Sequence, residues 1–144
     1  TGLPAATRQA LAQLRPSHAD VLGTTDVLSQ TVVDQLVAAA PRVGTPRRLG
    51  GADRYATAAA IASGYADRLP GGPVAVAAGA DSNLVDSLAG GAMGRLTLLT
   101  ASSTLSQPSG TWLRGHDVGG VLILGSRGVL SSNLFWAAAT AAAG

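Results

Sequence analysis

Apolar positions in this chain come in short blocks, separated at near-regular intervals by polar, glycine and proline residues. VAVAA (74–78) and VLIL (121–124) are strand-sized, far below a membrane span. Between such blocks the spacing turns helical. A helix is predicted over 5–14 and a strand near 19–22. Ser29 is placed to cap a helix, SQTVVDQLVAAA, which Pro41 follows. A weaker strand over 43–49 leads into RLGGADRYATAAAIA (48–62). The next helix runs from Tyr55 to Leu69, where Pro70-Gly71-Gly72-Pro73 breaks it. The strand 74–78 and a helix over SNLVDSLAGGAMGRL (82–96) come after it, then the strand LTLLT (96–100). A helix over about 106–113, the strand GVLIL (120–124) and a last helix from Ser131 complete the pattern.

Strands that are apolar on both faces and separated by helices predict a parallel sheet covered on both sides, hence an α/β class. About five such strands predict one flavodoxin-like or Rossmann-like sandwich. The chain also repeats itself. Laying residue 19 on residue 121 brings ADVLGTTDVLSQTVV (19–33) onto VLILGSRGVLSSNLF (121–135). Leu22/Leu124, Gly23/Gly125, Val27/Val129, Leu28/Leu130 and Ser29/Ser131 are then identical. These matches sit on punctuation residues rather than on the abundant alanine. One compact domain, 1–144, is therefore expected, built from the second half of one repeat (1–47) and nearly all of the next (48–144).

Charge adds little. All ten basic residues are Arg and all eight acids are Asp, a usage that GC-rich coding explains. A net charge of +2 is too small to require nucleic acid, and no arginine cluster exceeds the pair Arg47 and Arg48. The absence of cysteine excludes disulfides and thiolate metal sites. The opening TGLPAATRQ has no basic start followed by an apolar block, so no signal peptide is read there. A first residue of Thr points to a processed or excised piece.

In open parallel α/β sheets, ligands bind outside the carboxyl ends of the strands. The segments leaving those ends are GTTD (23–26), GGADRY (50–55), GADSN (79–83), TASST (100–104) and GSRG (125–128), and they hold most of the unusual side chains. GGADRY is neither GxGxxG nor GxxxxGK[ST], and no Lys exists to reach a phosphate. Nucleotide binding is thus disfavoured and no cofactor is expected. The glycines suit a tight strand-to-helix turn, with Asp53 capping the helix and Arg54 pairing with an Asp of a neighbouring corner. LGSRG (124–128) resembles a nucleophile elbow, but Leu124 stands where Gly is required. His18 and His116 both precede strands, at the opposite end from Ser126, and read as solvated loop residues. Two His without Cys make a poor zinc site. A carboxylate pair could be drawn from Asp26, Asp53, Asp81 and Asp86, but Asp86 lies inside a helix pattern and is expected to pair with an Arg. Neither enzymatic activity nor a metal site is expected. Of the aromatics only Tyr55 lies on the rim, whereas Trp112 and Trp136 fall on helices as core or interface. A sugar ligand would be held by hydrogen bonds and by Arg to anionic groups.

RLGGADRYATAAAIA closely resembles the signature of the cell-wall-binding repeat 2 family, found in tandem on surface proteins of Gram-positive bacteria. VAVAAGADSNLVDSLAGGAM (74–93) is similar to the family's strand, glycine and F-A-D-A-L-A segment, with Asp86 at the acidic position. LTLLT is similar to its P-I-L-L-T strand, and VLILGSRGVLSSNL (121–134) to its I-I-G-G…V-S segment, with Gly125 and Ser131 matching. Residues 3–47 resemble the second half of a preceding repeat. Leu84 and Val85 replace the aromatic-Ala pair, Ser87 an Ala, Thr97 the first isoleucine of the triplet, and Thr24 and Ser126 the second Gly after each third strand. The resemblance implies non-covalent attachment, outside the cell, to anionic secondary polymers of the wall by three modules in a pseudo-threefold. The candidate ligand-binding residues are then those of the rim: Thr24, Thr25, Asp53, Arg54, Tyr55, Asp81, Asn83, Ser102, Ser126 and Arg127. The expected partners are the anionic polymer and other copies or further repeats of a parent protein, with no nucleic acid and no membrane span. The rival reading is a module that assembles into a surface layer or fibre with no polymer ligand. In either case Phe135 and Trp136, on the last helix, are expected to lie poorly covered and to mark an interface.

Overall fold

The computed structural model of the chain describes residues 2–68 and 71–144. Leu69 and Pro70, where the end of the expected third helix and the start of its break fall, lie outside the described residues. Contacts within the chain divide it into two compact units, Thr1–Gly50 and Gly51–Gly144.

The first unit holds α1 (Ala5–Leu14), β1 (Asp20–Leu22), α2 (Gln30–Ala39) and β2 (Arg47–Leu49). β1 and β2 run parallel, with Asp20 opposite Arg47 and Leu22 opposite Leu49. That register brings the Arg47 guanidinium onto Asp20, Nε to Oδ1 at 2.9 Å and NH2 to Oδ2 at 2.8 Å, a two-pronged charged pair that fixes both strands. Val21, Val33, Val43 and Leu49 are buried beside them. α1 packs on α2, and the Leu3 N–H donates to Gln35 Oε1 at 2.7 Å. β2 is shorter than its apolar pattern predicts. Pro41 opens a 3-10 turn over Pro41–Val43, and Pro46 has no N–H to give a ladder, so the strand starts only at Arg47.

The second unit holds α3 (Arg54–Tyr65), β3 (Val74–Ala78), α4 (Val85–Ala92), β4 (Thr97–Thr100), α5 (Gln107–Arg114), β5 (Val121–Leu124) and α6 (Ser132–Ala142). Its strands are parallel in the order β4-β3-β5. Ala75 of β3 lies opposite Thr97 on one side and Leu122 on the other. All five β3 residues are buried, which is why VAVAA reads as a continuous apolar run. Its two faces are nevertheless unequal. Val74 and Val76 join Leu98, Trp112, Leu113, Ala138 and Ala141 in the main core, under α3, α5 and α6. Each of the larger aliphatic side chains buried there contributes roughly 1.5–3 kcal/mol. Ala75 faces α4, where a Cβ on Gly90 would stand 3.1 Å from Ala75 Cβ. Small residues on both partners thus let α4 lie close against the sheet.

The α/β class with parallel strands and flanking helices is what the pattern predicts. The strands form parallel sheets of two and of three, β1-β2 and β4-β3-β5, so a single sheet of five is not what is seen. β1 and β2 are three residues long and pair with one another. The helix expected over 82–96 is also reduced. Asp81–Asn83 form a 3-10 turn and the α-helix occupies Val85–Ala92. Polar side chains compete for hydrogen bonds at its start, with Ser82 Oγ donating to Asn83 Oδ1 and Ser87 Oγ to the Leu84 carbonyl, both at 2.6 Å. Gly94, at φ 65°, stops it at the other end.

Candidate functional site

GGADRY is built as a turn into α3. Asp53 is the N-cap, its Oδ1 accepting from the Ala56 N–H at 2.7 Å. The Gly51 N–H donates to Thr57 Oγ1 at 3.0 Å, tying the loop back to the first helical turn. Arg54, the first residue of α3, donates through NH1 to the Gly79 carbonyl at 2.7 Å and to Asp81 Oδ1. The expected pairing of Arg54 with an Asp of a neighbouring corner is therefore present. Hydrogen bonding to Asp81, and then its charge, hold Arg54 above its ordinary value. Tyr55 lies against the same corner, since a Cβ on Gly79 would meet its Cε1 at 2.6 Å. Asp53, Arg54, Tyr55, Asp81 and Asn83 are thus gathered between the start of α3 and the end of β3. Within this group Asp53 and Arg54 are already engaged in holding the turn together.

The other two corners of this unit meet at the start of α6. The Ser131 N–H donates to the Ser102 carbonyl at 2.9 Å, and Ser131 Oγ reaches the Ser103 carbonyl at 3.5 Å. Ser131 Oγ also accepts from the Leu134 N–H at 3.4 Å, capping α6. Within the TASST corner, Thr100 Oγ1 donates to the Thr104 carbonyl at 2.9 Å and accepts from the Ser106 N–H at 2.9 Å. Ser109 Oγ donates to the Leu99 carbonyl at 2.6 Å. These hydroxyls brace the loop that carries Ser102. In the GSRG corner the Val129 and Leu130 N–H groups both donate to the Ser126 carbonyl at 2.9 Å. Arg127 at its tip is exposed and has no ion-pair partner among the described residues.

Thr24 and Thr25 belong to the first unit, and their turn has the same construction. Val27 and Leu28 donate to the Thr24 carbonyl at 3.1 and 3.0 Å, with Gly23 at φ 111° as Gly125 is at 129°. The two turns differ at the helix that follows, because Ser29 makes no side-chain cap bond.

Two expectations are corrected. Asp86 has no arginine partner among the described residues. α4 begins only at Val85, and the Asp86 carboxylate lies instead against the GSRG turn, 3.1 Å from where a Gly125 Cβ would be. His116 is not a solvated loop residue. Its ring stacks on Trp112 with centroids 4.1 Å apart and planes 9° apart, and Nδ1 lies 2.8 Å from the Trp112 carbonyl oxygen. Trp112 is buried, whereas Trp136 is exposed, in line with the poor cover expected for it. Beside Arg127 lies a cavity of about 510 Å³, walled by Ile123, Leu130, Ser131, Ser132, Phe135 and Trp136. Phe135 and Trp136 are the pair expected to mark an interface; the other four are not among the candidate site residues. The adjacent Phe-Trp pair, four residues after the repeated Ser131, is the signal in the sequence that points to them.

Among the described residues no helix is long and apolar enough to cross a membrane, and no three metal-ligating side chains gather. The model of one protein family, cell wall binding domain 2 (CWB2), matches residues 48–135. Two solved structures superpose well. Cwp6 from Clostridium difficile is 24% identical with a TM-score of 0.79, over 91% of this chain and 21% of that one. Cwp8 from Clostridium difficile is 20% identical with a TM-score of 0.75, over 99% and 24%. The chain therefore spans about a quarter or less of these two solved chains. No curated protein matches it significantly.

Proposed function

The chain belongs to the cell wall binding domain 2 family, and from that premise we propose that it holds a surface protein on the wall by binding an anionic wall polymer, without catalysis. It is a cell wall binding module, and the finer reading concerns what it grips and with which residues. The polymer is taken along the turns at the carboxyl ends of the strands, which carry Arg54, Arg127 and the exposed hydroxyls of Thr25, Ser102 and Ser126. One observation carries this: Arg127 stands exposed at the tip of the GSRG turn with no ion-pair partner among the described residues. A guanidinium left in water beside a cavity is free to pair with an anion. Arg54 is a weaker candidate, because the Gly79 carbonyl and Asp81 already hold it.

The test is co-sedimentation with Gram-positive wall pellets. Wild-type chain is expected in the pellet, and Arg127→Ala in the supernatant with an unchanged thermal melt. Chemical removal of the anionic polymers from the walls should release the protein. Retention should also fall with added salt, as the screening length drops from roughly 10 Å to 3 Å. Equal retention on stripped walls would rule out the anionic ligand, and sugars or amines released from the pellet would rule out a non-catalytic module.

A second reading, assembly into a layer or fibre, rests on a different surface. Leu84, Val85, Leu88 and Met93 on and beside α4 are all exposed, Val85 and Leu88 by 67% and 69%. Several exposed apolar side chains on one short helix suit a contact surface.

A further inference from the structure

The cavity beside Arg127 contains more than a cation needs. Phe135 and Trp136, near the start of α6, are 40% and 67% exposed. They pack edge to face with ring centroids 5.2 Å apart, so each ring helps to fix the other. Trp136, Ile123 and Leu130 give the cavity its apolar lining, and Arg127, Ser131 and Ser132 its polar lining. About 510 Å³ lies between them, within the range of small-ligand sites.

We infer that this cavity is a subsite for one acidic sugar residue of the wall polymer, with the pyranose laid on Trp136 and its acidic group on Arg127. This rests on the wall-polymer reading above and adds the ligand class to it. A pyranose presents C–H groups on its face and hydroxyls around its edge, which matches an apolar ring beside serines. A carboxylate or phosphate substituent matches a guanidinium with no ion-pair partner. Arg127 is the only charged side chain among the described residues that line the cavity. A single cation suits an isolated acidic group on a sugar better than a dense run of phosphates. A linear polyol phosphate has no ring face and would leave Trp136 uncovered.

The full chain is titrated with two soluble fractions from Gram-positive walls, the acidic sugar polymer and the polyol-phosphate teichoic acid. Iodide quenching is the readout, with buried Trp112 as the internal reference. The acidic sugar polymer should protect Trp136 and shift its emission to shorter wavelength, and teichoic acid should do neither. Trp136→Ala should weaken binding of the sugar polymer by about tenfold or more, with part of the loss recovered in Trp136→Phe. If the sugar polymer binds while Trp136 stays quenchable and Trp136→Ala binds as wild type, the subsite is refuted and the wider reading survives. If neither fraction binds, both readings fail. Equal protection by teichoic acid would overturn the sugar-face argument. Protection that grows with protein concentration alone, with a rising mass in light scattering, would assign Trp136 to contact with a second copy.

Discussion

A methyl group on Gly51 would stand 2.5 Å from Ala56 Cβ and 2.7 Å from the Ala56 carbonyl carbon. The second of these is backbone, so the first turn of α3 would have to move. Gly51→Ala is therefore expected to destabilise the second unit by about 1–3 kcal/mol, read as a lower urea midpoint with an unchanged slope. Asp53 and Arg54 act on the same turn, one by capping α3 and the other by bridging to the end of β3. Both roles were legible in the sequence, because an Asp before an alanine-rich run and an Arg on a corner have few other uses. The stack of His116 on Trp112 was not. The two residues are four apart across the end of α5, and their meeting depends on where that helix stops. The missing partner of Asp86 has the same origin, since a later start to α4 turned the side chain toward Gly125.

The repeated turns show how little sequence separates a capped helix from an uncapped one. Ser29 and Ser131 hold matching positions before α2 and α6, but only Ser131 uses its hydroxyl, accepting from Leu134 and reaching Ser103. Ser131→Ala should cost about 0.5–2 kcal/mol, and Ser29→Ala should cost much less. Paired denaturant titrations would check this, and equal losses would contradict the geometry. Long, strongly patterned elements were readable: α1, β3 and β5 fall close to where the apolar spacing puts them. β2 and α4 were not, for local reasons. Proline removed ladder donors from β2, and serine, asparagine and glycine trimmed both ends of α4. The aromatic cavity was missed because its walls come from a strand, a turn and a helix start that converge only in the fold.

For the molecule as a unit of attachment, the apolar α4 surface and the polar turns make separable predictions. Leu88→Asp should abolish any concentration-dependent association in light scattering while leaving wall co-sedimentation intact. Loss of wall retention in that variant, without association in the wild type, would assign the α4 surface to the polymer instead. The strand order β4-β3-β5 carries a further consequence, one of timing. β3 is synthesised before both of its neighbours, and its second ladder closes only when 121–124 arrives. The helix after that strand then supplies Ala138 and Ala141 to the main core. Until then the most apolar strand of the chain has an open edge, and the pairing it awaits is distant in sequence, which makes folding slow. A chain cut after Gly120 should therefore show no cooperative melt and should aggregate. During synthesis or export this unit stays foldless until nearly its last residues are available, so a chaperone that shields extended apolar segments would have its longest engagement at 74–78.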